Sequence, residues 1–269
     1  MRALVALLFF AAGAGAFAHE FWMLADRYDA AAGCDIHLEL FVGQNFSGVQ
    51  VGISAPLVAD LRHYTKGEAA DLRGDVPAYA PVGSLAVRLA AAGTHLLAMD
   101  SYPSTITLPA DLFLPYLELE GLQDIMKARE QAGTSSSPGR ERFRRNVKTL
   151  VQAGGQSDST YSRRTGQRLE IVPLSDPYTS RIGAPMQFQV FFDAMPLSGA
   201  LVKFWNRGSG ALVALSERTD PQGKLSIALP QPGVWMVSTV HMIPAENSTE
   251  FDWDSYWGNL TFALKPARL

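Results

Sequence analysis

Hydrophobic and polar residues alternate over two long parts of this chain, and the period changes between them. In the run Asp35-Ile36-His37-Leu38-Glu39-Leu40-Phe41-Val42, the residues Ile36, Leu38, Leu40 and Val42 fall on one face and His37 and Glu39 on the other. That is the pattern of a half-buried strand. Leu85 to Leu89 alternates in the same way, and Gly and Pro signals divide the runs from about residue 21 to residue 108. Alternation returns from about residue 169 to residue 264. Met186 to Phe192 forms one run, the turn Pro196 to Ala200 leads into Leu201 to Phe204, and the tight turn Thr219 to Lys224 precedes Leu225, Ile227 and Leu229. Gln231-Pro232-Gly233 then opens the apolar run Val234 to Val240, and Asn259 to Leu264 supplies a last strand. Short strands at this spacing predict antiparallel sandwiches.

Between the two parts the period becomes helical. Leu112, Phe113, Tyr116, Leu117, Leu119, Leu122, Ile125 and Met126 recur at helix spacing, with Gly121 placed to split the stretch into two short helices. A Ser-rich turn at Ser135 to Gly139 follows. Arg140 to Val151 then carries Phe143, Val147, Leu150 and Val151 on one helical face, with Arg142, Arg144, Arg145 and Lys148 around it. The expectation is a helical hairpin whose basic run is a solvated face. The chain is therefore predicted to be mainly β, with two antiparallel β-sandwich units. Residues 1–18 form a leader, 19–108 an N-terminal sandwich, 109–155 a helical insertion and 156–269 a C-terminal sandwich.

Composition narrows the class. The first eighteen residues hold one basic residue, a short apolar run and the ending Ala16-Phe17-Ala18, the pattern of a cleavable secretory signal. Cleavage after Ala18 would leave a periplasmic protein that begins at His19, with no membrane span in its mature form. Hydrophobic residues make up 47% and charged residues 18%, which describes a globular chain. The net charge of −3 becomes one unit more negative when Arg2 leaves, which argues against a nucleic-acid partner. Cys34 is the single cysteine, so no internal disulfide framework is expected and Cys34 reads as a small buried residue.

Five histidines are present, and only His19 has a special chemical possibility. After leader removal its free α-amino group and its imidazole can close a chelate ring around one ion, a histidine brace suited to Cu(II), Ni(II) or Co(II). The bland alternative is an ordinary chain terminus. Further ligands must come from elsewhere. His241, at the end of an apolar strand, is the first choice, and the acidic-aromatic segment from Glu246 to Trp257 offers Glu250, Asp252 and Asp254 as ligands or as acceptors for a histidine N–H. Trp22 and Met242 would form the nearby wall. His37, His63 and His95 read as structural or surface residues. No metalloprotease, nucleophile-elbow or phosphate-loop motif occurs, and Glu118 and Glu120, two apart on a helix, do not face each other. Phe251, Trp253, Tyr256 and Trp257 read more readily as core than as a ligand surface.

The residues in order carry a family resemblance. The opening Ala18-His19-Glu20-Phe21-Trp22-Met23, the stretch Pro109 to Leu122, the segment Leu169 to Leu174 with Asp176-Pro177, the turn Pro196 to Ala200, Thr219-Asp220 with Gly223, and Trp253 to Phe262 together resemble an exported bacterial family, domain of unknown function 4198. The resemblance covers nearly the whole mature chain. It implies a periplasmic protein associated with nickel or cobalt uptake and a C-terminal half like the transthyretin or carboxypeptidase-regulatory sandwich. It places the family's leading histidine on His19 and its histidine-methionine pair on His241-Met242. A glycosidase label attached to some members finds no acid/base pair in this sequence.

The reading is a protein that holds one divalent nickel, cobalt or copper ion through His19 and His241, with Asp252 or Asp254 as helper. It sequesters the ion or delivers it to a membrane transporter, without transforming a substrate. Two rivals stand beside it: a metal-independent module that binds protein or carbohydrate through Trp253 and Trp257, and a copper-dependent oxidase.

Overall fold

The computed structural model describes residues 20–208 and 212–265; the predicted leader and His19 lie outside the described residues. Nine strands come first: β1 (Glu20–Ala25), β2 (Asp29–Ala30), β3 (Cys34–Gln44), β4 (Ser47–Val51), β5 (Val58–Thr65), β6 (Glu68–Asp71), β7 (Leu85–Leu89), β8 (Gly93–Ser101) and β9 (Ser104–Leu108). Two helices follow, α1 (Ala110–Leu119) and α2 (Gln123–Gln131). The rest is again β: β10 (Gly139–Ala153), β11 (Leu169–Pro173), β12 (Pro185–Phe192), β13 (Met195–Pro196), β14 (Leu201–Arg207), β15 (Val213–Arg218), β16 (Lys224–Ala228), β17 (Gly233–Pro244) and β18 (Trp253–Leu264).

The mainly β, antiparallel character and the helical insertion agree with the sequence pattern. The two β units share one middle layer, a sheet of order β15-β14-β17-β18-β10-β8-β5-β6 with β2 and β9 also paired to β10. At its centre β10 and β18 run parallel, Glu141 opposite Trp253 through Thr149 opposite Thr261. The sheet of β1, β3, β4 and β7 covers one face; the sheet of β11, β12, β13 and β16 covers the other. Side-chain alternation distributes the core accordingly. In β8, Leu97 and Met99 pack toward Ile36, Leu38 and Leu40 of β3, while Leu96 and Ala98 pack toward Ile171 and Phe188. Each such aliphatic side chain, fully buried, contributes about 1.5–3 kcal/mol.

One sequence expectation is corrected. Arg140 to Val151, read as a helix, lies within the fifteen-residue strand β10. Glu141, Phe143, Arg145, Val147, Thr149 and Val151 alternate with Arg140, Arg142, Arg144, Asn146, Lys148 and Leu150, a period of two disguised because charged residues occupy covered positions. Three of those charges have acidic partners: Arg140 has Asp252, Arg142 has Asp254 of the neighbouring β18, and Lys148 has Glu170 of β11 in the covering sheet. Tertiary pairing therefore overrides a pattern that alone suggests a basic amphipathic helix.

The helical hairpin is confined to α1 and α2. Phe113, Tyr116 and Leu117 face Val240, Met242, Trp253 and Trp257 of the middle sheet. Gly121, at φ +70°, ends α1, and the N–H of Leu122 donates to the Leu117 carbonyl at 2.9 Å, closing the helix in a left-handed cap. Among the described residues no helix is long and apolar enough to cross a membrane.

Candidate functional site

The first described residue, Glu20, opens a cleft of about 420 Å³ bounded by the tip of the β3–β4 hairpin, the end of α1 and the strands β14 and β15. Asn45 and Phe46 form the two-residue hairpin tip, both at positive φ (52° and 60°), the backbone that matches strand twist. Their N–H groups donate to the Glu20 carboxylate. Gly43 and Gly48 allow this close folding, since a Cβ on Gly48 would stand 2.2 Å from the Val42 carbonyl oxygen and one on Gly43 2.1 Å from that of Ser47.

Opposite Glu20, Glu120 caps the C-terminal end of α1, where a carboxylate meets the negative end of the helix dipole. It is held there because α1 docks directly on β14: a Cβ at Gly121 would lie 2.8 Å from Leu201 Cβ. From β14, Lys203 reaches across, with Nζ 2.7 Å from Glu120 Oε2. Trp205, two residues on and on the same face, completes the floor, its ring centroid 6.0 Å from Lys203 Nζ.

Two buried carboxylates thus face one ammonium. Burial first, and then the neighbouring Glu120, push the Glu20 pKa up to about 7. Burial also raises Glu120, against the lowering effect of Lys203. Among the described residues, Glu20 Oε2 is buried without a hydrogen-bond partner. Within electrostatic reach of Glu120, Glu141 is fully enclosed; it accepts from Ser255 Oγ and, at 3.3 Å, from Tyr116 Oη, and burial raises its pKa to about 7. The cleft holds two carboxyl groups against one ammonium, and among the described residues one of its oxygens lacks a donor. Buried acceptors of this kind are rare unless a cation or proton serves them.

The residues singled out in the sequence are placed as follows. His19 lies outside the described residues; in the chain it is joined to Glu20 by one peptide bond. Trp22 is fully buried beside the cleft floor, stacked on Phe41 at 5.9 Å and clustered with Trp205. His241 sits on the other face of the middle sheet, 4.4 Å from the Phe192 ring, where burial lowers its pKa despite Asp193. Lys203 and Trp205 alternate with Val202 and Phe204, which pack on that other face, so the thickness of the sheet separates His241 from Glu20. Met242, adjacent to His241, points the opposite way into the core beneath the helices.

Asp252 and Asp254 are committed to arginines. Arg140 binds Asp252 through Nη2 (2.7 Å), Nε (3.1 Å) and its backbone N–H (3.0 Å). Arg142 grips Asp254 at 2.6 and 2.7 Å, with Arg144 at 3.4 Å. These bonds lower both carboxyl pKa values. The fold therefore does not gather His241, Asp252 and Asp254 into a donor set, and among the described residues no group of three or more His, Cys, Asp or Glu could hold a metal ion. Trp253 and Trp257 are buried under the helices. Sequence reasoning missed Glu20, Glu120 and Lys203. The available signals were an acid at a helix C-terminus ahead of a glycine and a lone lysine in the apolar run Leu201 to Trp205.

The model of the family described as "Domain of unknown function (DUF4198)" matches residues 16–243. No curated protein matches the chain. Among solved structures, the D0-D1 domain of Intimin is 11% identical, with 89% of this chain and 96% of that chain covered, at a TM-score of 0.22. A tetra-tandem repeat in the extending region of a large adhesion protein is 11% identical over 93% of this chain and 50% of that one, at a TM-score of 0.23. Likenesses this low carry no argument about function.

Proposed function

Because the chain belongs to the DUF4198 family, whose description assigns no activity, its role must come from its own site, and we propose that it binds a divalent transition-metal ion at the mouth of the Glu20 cleft. In this reading the ion is nickel, cobalt or copper, and the protein sequesters it or hands it to a membrane transporter from the periplasm. The donors are the α-amine and imidazole of His19 after leader removal, with carboxylate oxygens from Glu20 and Glu120. Mixed nitrogen and carboxylate donors suit these ions. His241 plays no part in this version of the site, and neither do Asp252 and Asp254.

The observation that carries the proposal is the buried Oε2 of Glu20, unpartnered among the described residues, beside a second buried carboxylate and one residue after the predicted mature terminus. Lys203 takes the place of a cation against Glu120 when no ion is bound, and ion binding displaces it or releases its proton. The test is calorimetric titration of nickel, cobalt and copper into three forms of the protein: the form starting at His19, that form with one extra alanine ahead of His19, and the Glu20→Gln, Glu120→Gln double variant. Both changes are expected to weaken binding by about tenfold or more. Unchanged affinity in the extended form removes the terminal amine from the site; unchanged affinity in the double variant removes the cleft.

A further inference from the structure

Arg129, in the last turn of α2, is only 5% exposed. Its Nη2 donates to the carbonyl oxygens of Thr134 (2.8 Å) and Ser137 (2.5 Å), and its guanidinium carbon stands 4.9 Å from the centroid of the Phe113 ring. Fastening the 134–137 loop requires that one nitrogen alone. Among the described residues Nε and Nη1 have no acceptor, and no carboxylate forms an ion pair with the group. The acid that acts on it at a distance, Asp252, is bound bidentately by Arg140. A guanidinium keeps its proton and, largely buried, is costly without a counter-ion; the unpartnered Nε and Nη1 of Arg129 are its atoms left open to the cleft.

Arg129 also lines a cleft of about 680 Å³, independent of the Glu20 site, whose walls include Pro138, Phe251 and Trp253 together with the hydroxyls of Ser137 and Ser248. Among the described residues two guanidiniums and one carboxylate line it, leaving one positive charge unmatched. We propose that this cleft binds a small organic monoanion, a carboxylic acid with an apolar body, whose carboxylate meets the free donors of Arg129 while the body lies against Phe251 and Trp253. The single unmatched charge selects a monoanion over inorganic phosphate, and the size of the cleft and its aromatic wall match a ligand of ordinary small-molecule size.

The test uses the chain starting at His19, with sodium benzoate as probe, benzamide as its neutral counterpart of the same shape, and inorganic phosphate at matched ionic strength, followed by calorimetry. Benzoate is expected to bind saturably, with benzamide and phosphate each at least about tenfold weaker. Arg129→Met is expected to abolish the benzoate signal. Because that variant also releases the loop, Ser248→Trp, which fills the cleft and leaves Arg129 in place, provides a second test and is expected to abolish it too. Absence of saturable benzoate binding, equal binding of benzamide, tighter binding of phosphate, or benzoate binding retained in Ser248→Trp overturns the proposal.

Discussion

His63 Nε2 lies 2.8 Å from His95 Nδ1, with the two rings stacked at 4.9 Å between centroids. His95 Nε2 is 3.0 Å from the Ala91 carbonyl oxygen, which makes Nε2 the donor and leaves His95 Nδ1 to accept from His63. Both rings are neutral in this arrangement. Burial, and then His95, lower the His63 pKa from 6.5 to about 4. The unfolded chain therefore takes up a proton between pH 6.5 and about 4 that the folded chain refuses, and this pair's contribution to stability is lost as pH falls through that window. His63→Gln, which keeps a donor, should lessen the fall; urea midpoints measured across the window check it, and curves parallel to the parent would exclude the effect.

Lys203 and Glu120 form a nearly enclosed ion pair. Lys203→Met leaves Glu120 buried without its cation, and a loss of about 3–5 kcal/mol is expected. The double variant Lys203→Met, Glu120→Leu should recover most of it. Urea denaturation of the parent and the two variants decides the matter, and a double variant no better than Lys203→Met would show that the pair does not act as a unit.

The buried pair Lys148–Glu170, 3.1 Å apart, is asymmetric. Glu170 also accepts from Arg164 Nε at 2.7 Å and from the N–H and hydroxyl of Thr165, whereas Glu170 is the counter-ion of Lys148. Lys148→Met should therefore cost about 1–2 kcal/mol and Glu170→Gln about 3–5 kcal/mol, because the second change strands a buried ammonium. Equal losses in thermal or urea unfolding would contradict this order.

Glu141 runs opposite to His63. Its pKa rises from 4.5 to about 7 on burial, so the folded chain binds more protons than the unfolded chain between those values, and its contribution to stability declines as pH rises through them. Glu141→Gln keeps an oxygen for Ser255 and Tyr116 and has no charge to bury. Its stability relative to the parent should be near zero at about pH 4 and positive at about pH 8. A constant difference at the two values would show that burial does not raise the Glu141 pKa.

Local pattern was enough for much of the fold. The strand alternation in β3, β7, β12 and β16, the turn at Thr219 to Lys224 and the split of the helices at Gly121 each follow from which backbone a short segment prefers. The family resemblance was likewise legible, because it rests on residue order.

What the sequence determined by itself was therefore the class of structure, mainly β with a helical insertion. Tertiary structure alone decided that Arg140 to Val151 is a central strand, that one sheet serves both β units, that His241 lies across that sheet from Glu20, and that Glu20, Glu120 and Lys203 meet. The reason is that a periodic pattern records only which residues turn away from water. Whether a charged side chain at a covered position is solvated, as on a helix surface, or matched by a partner more than a hundred residues away, as Arg142 is by Asp254, depends on the partner's position, which no local period contains.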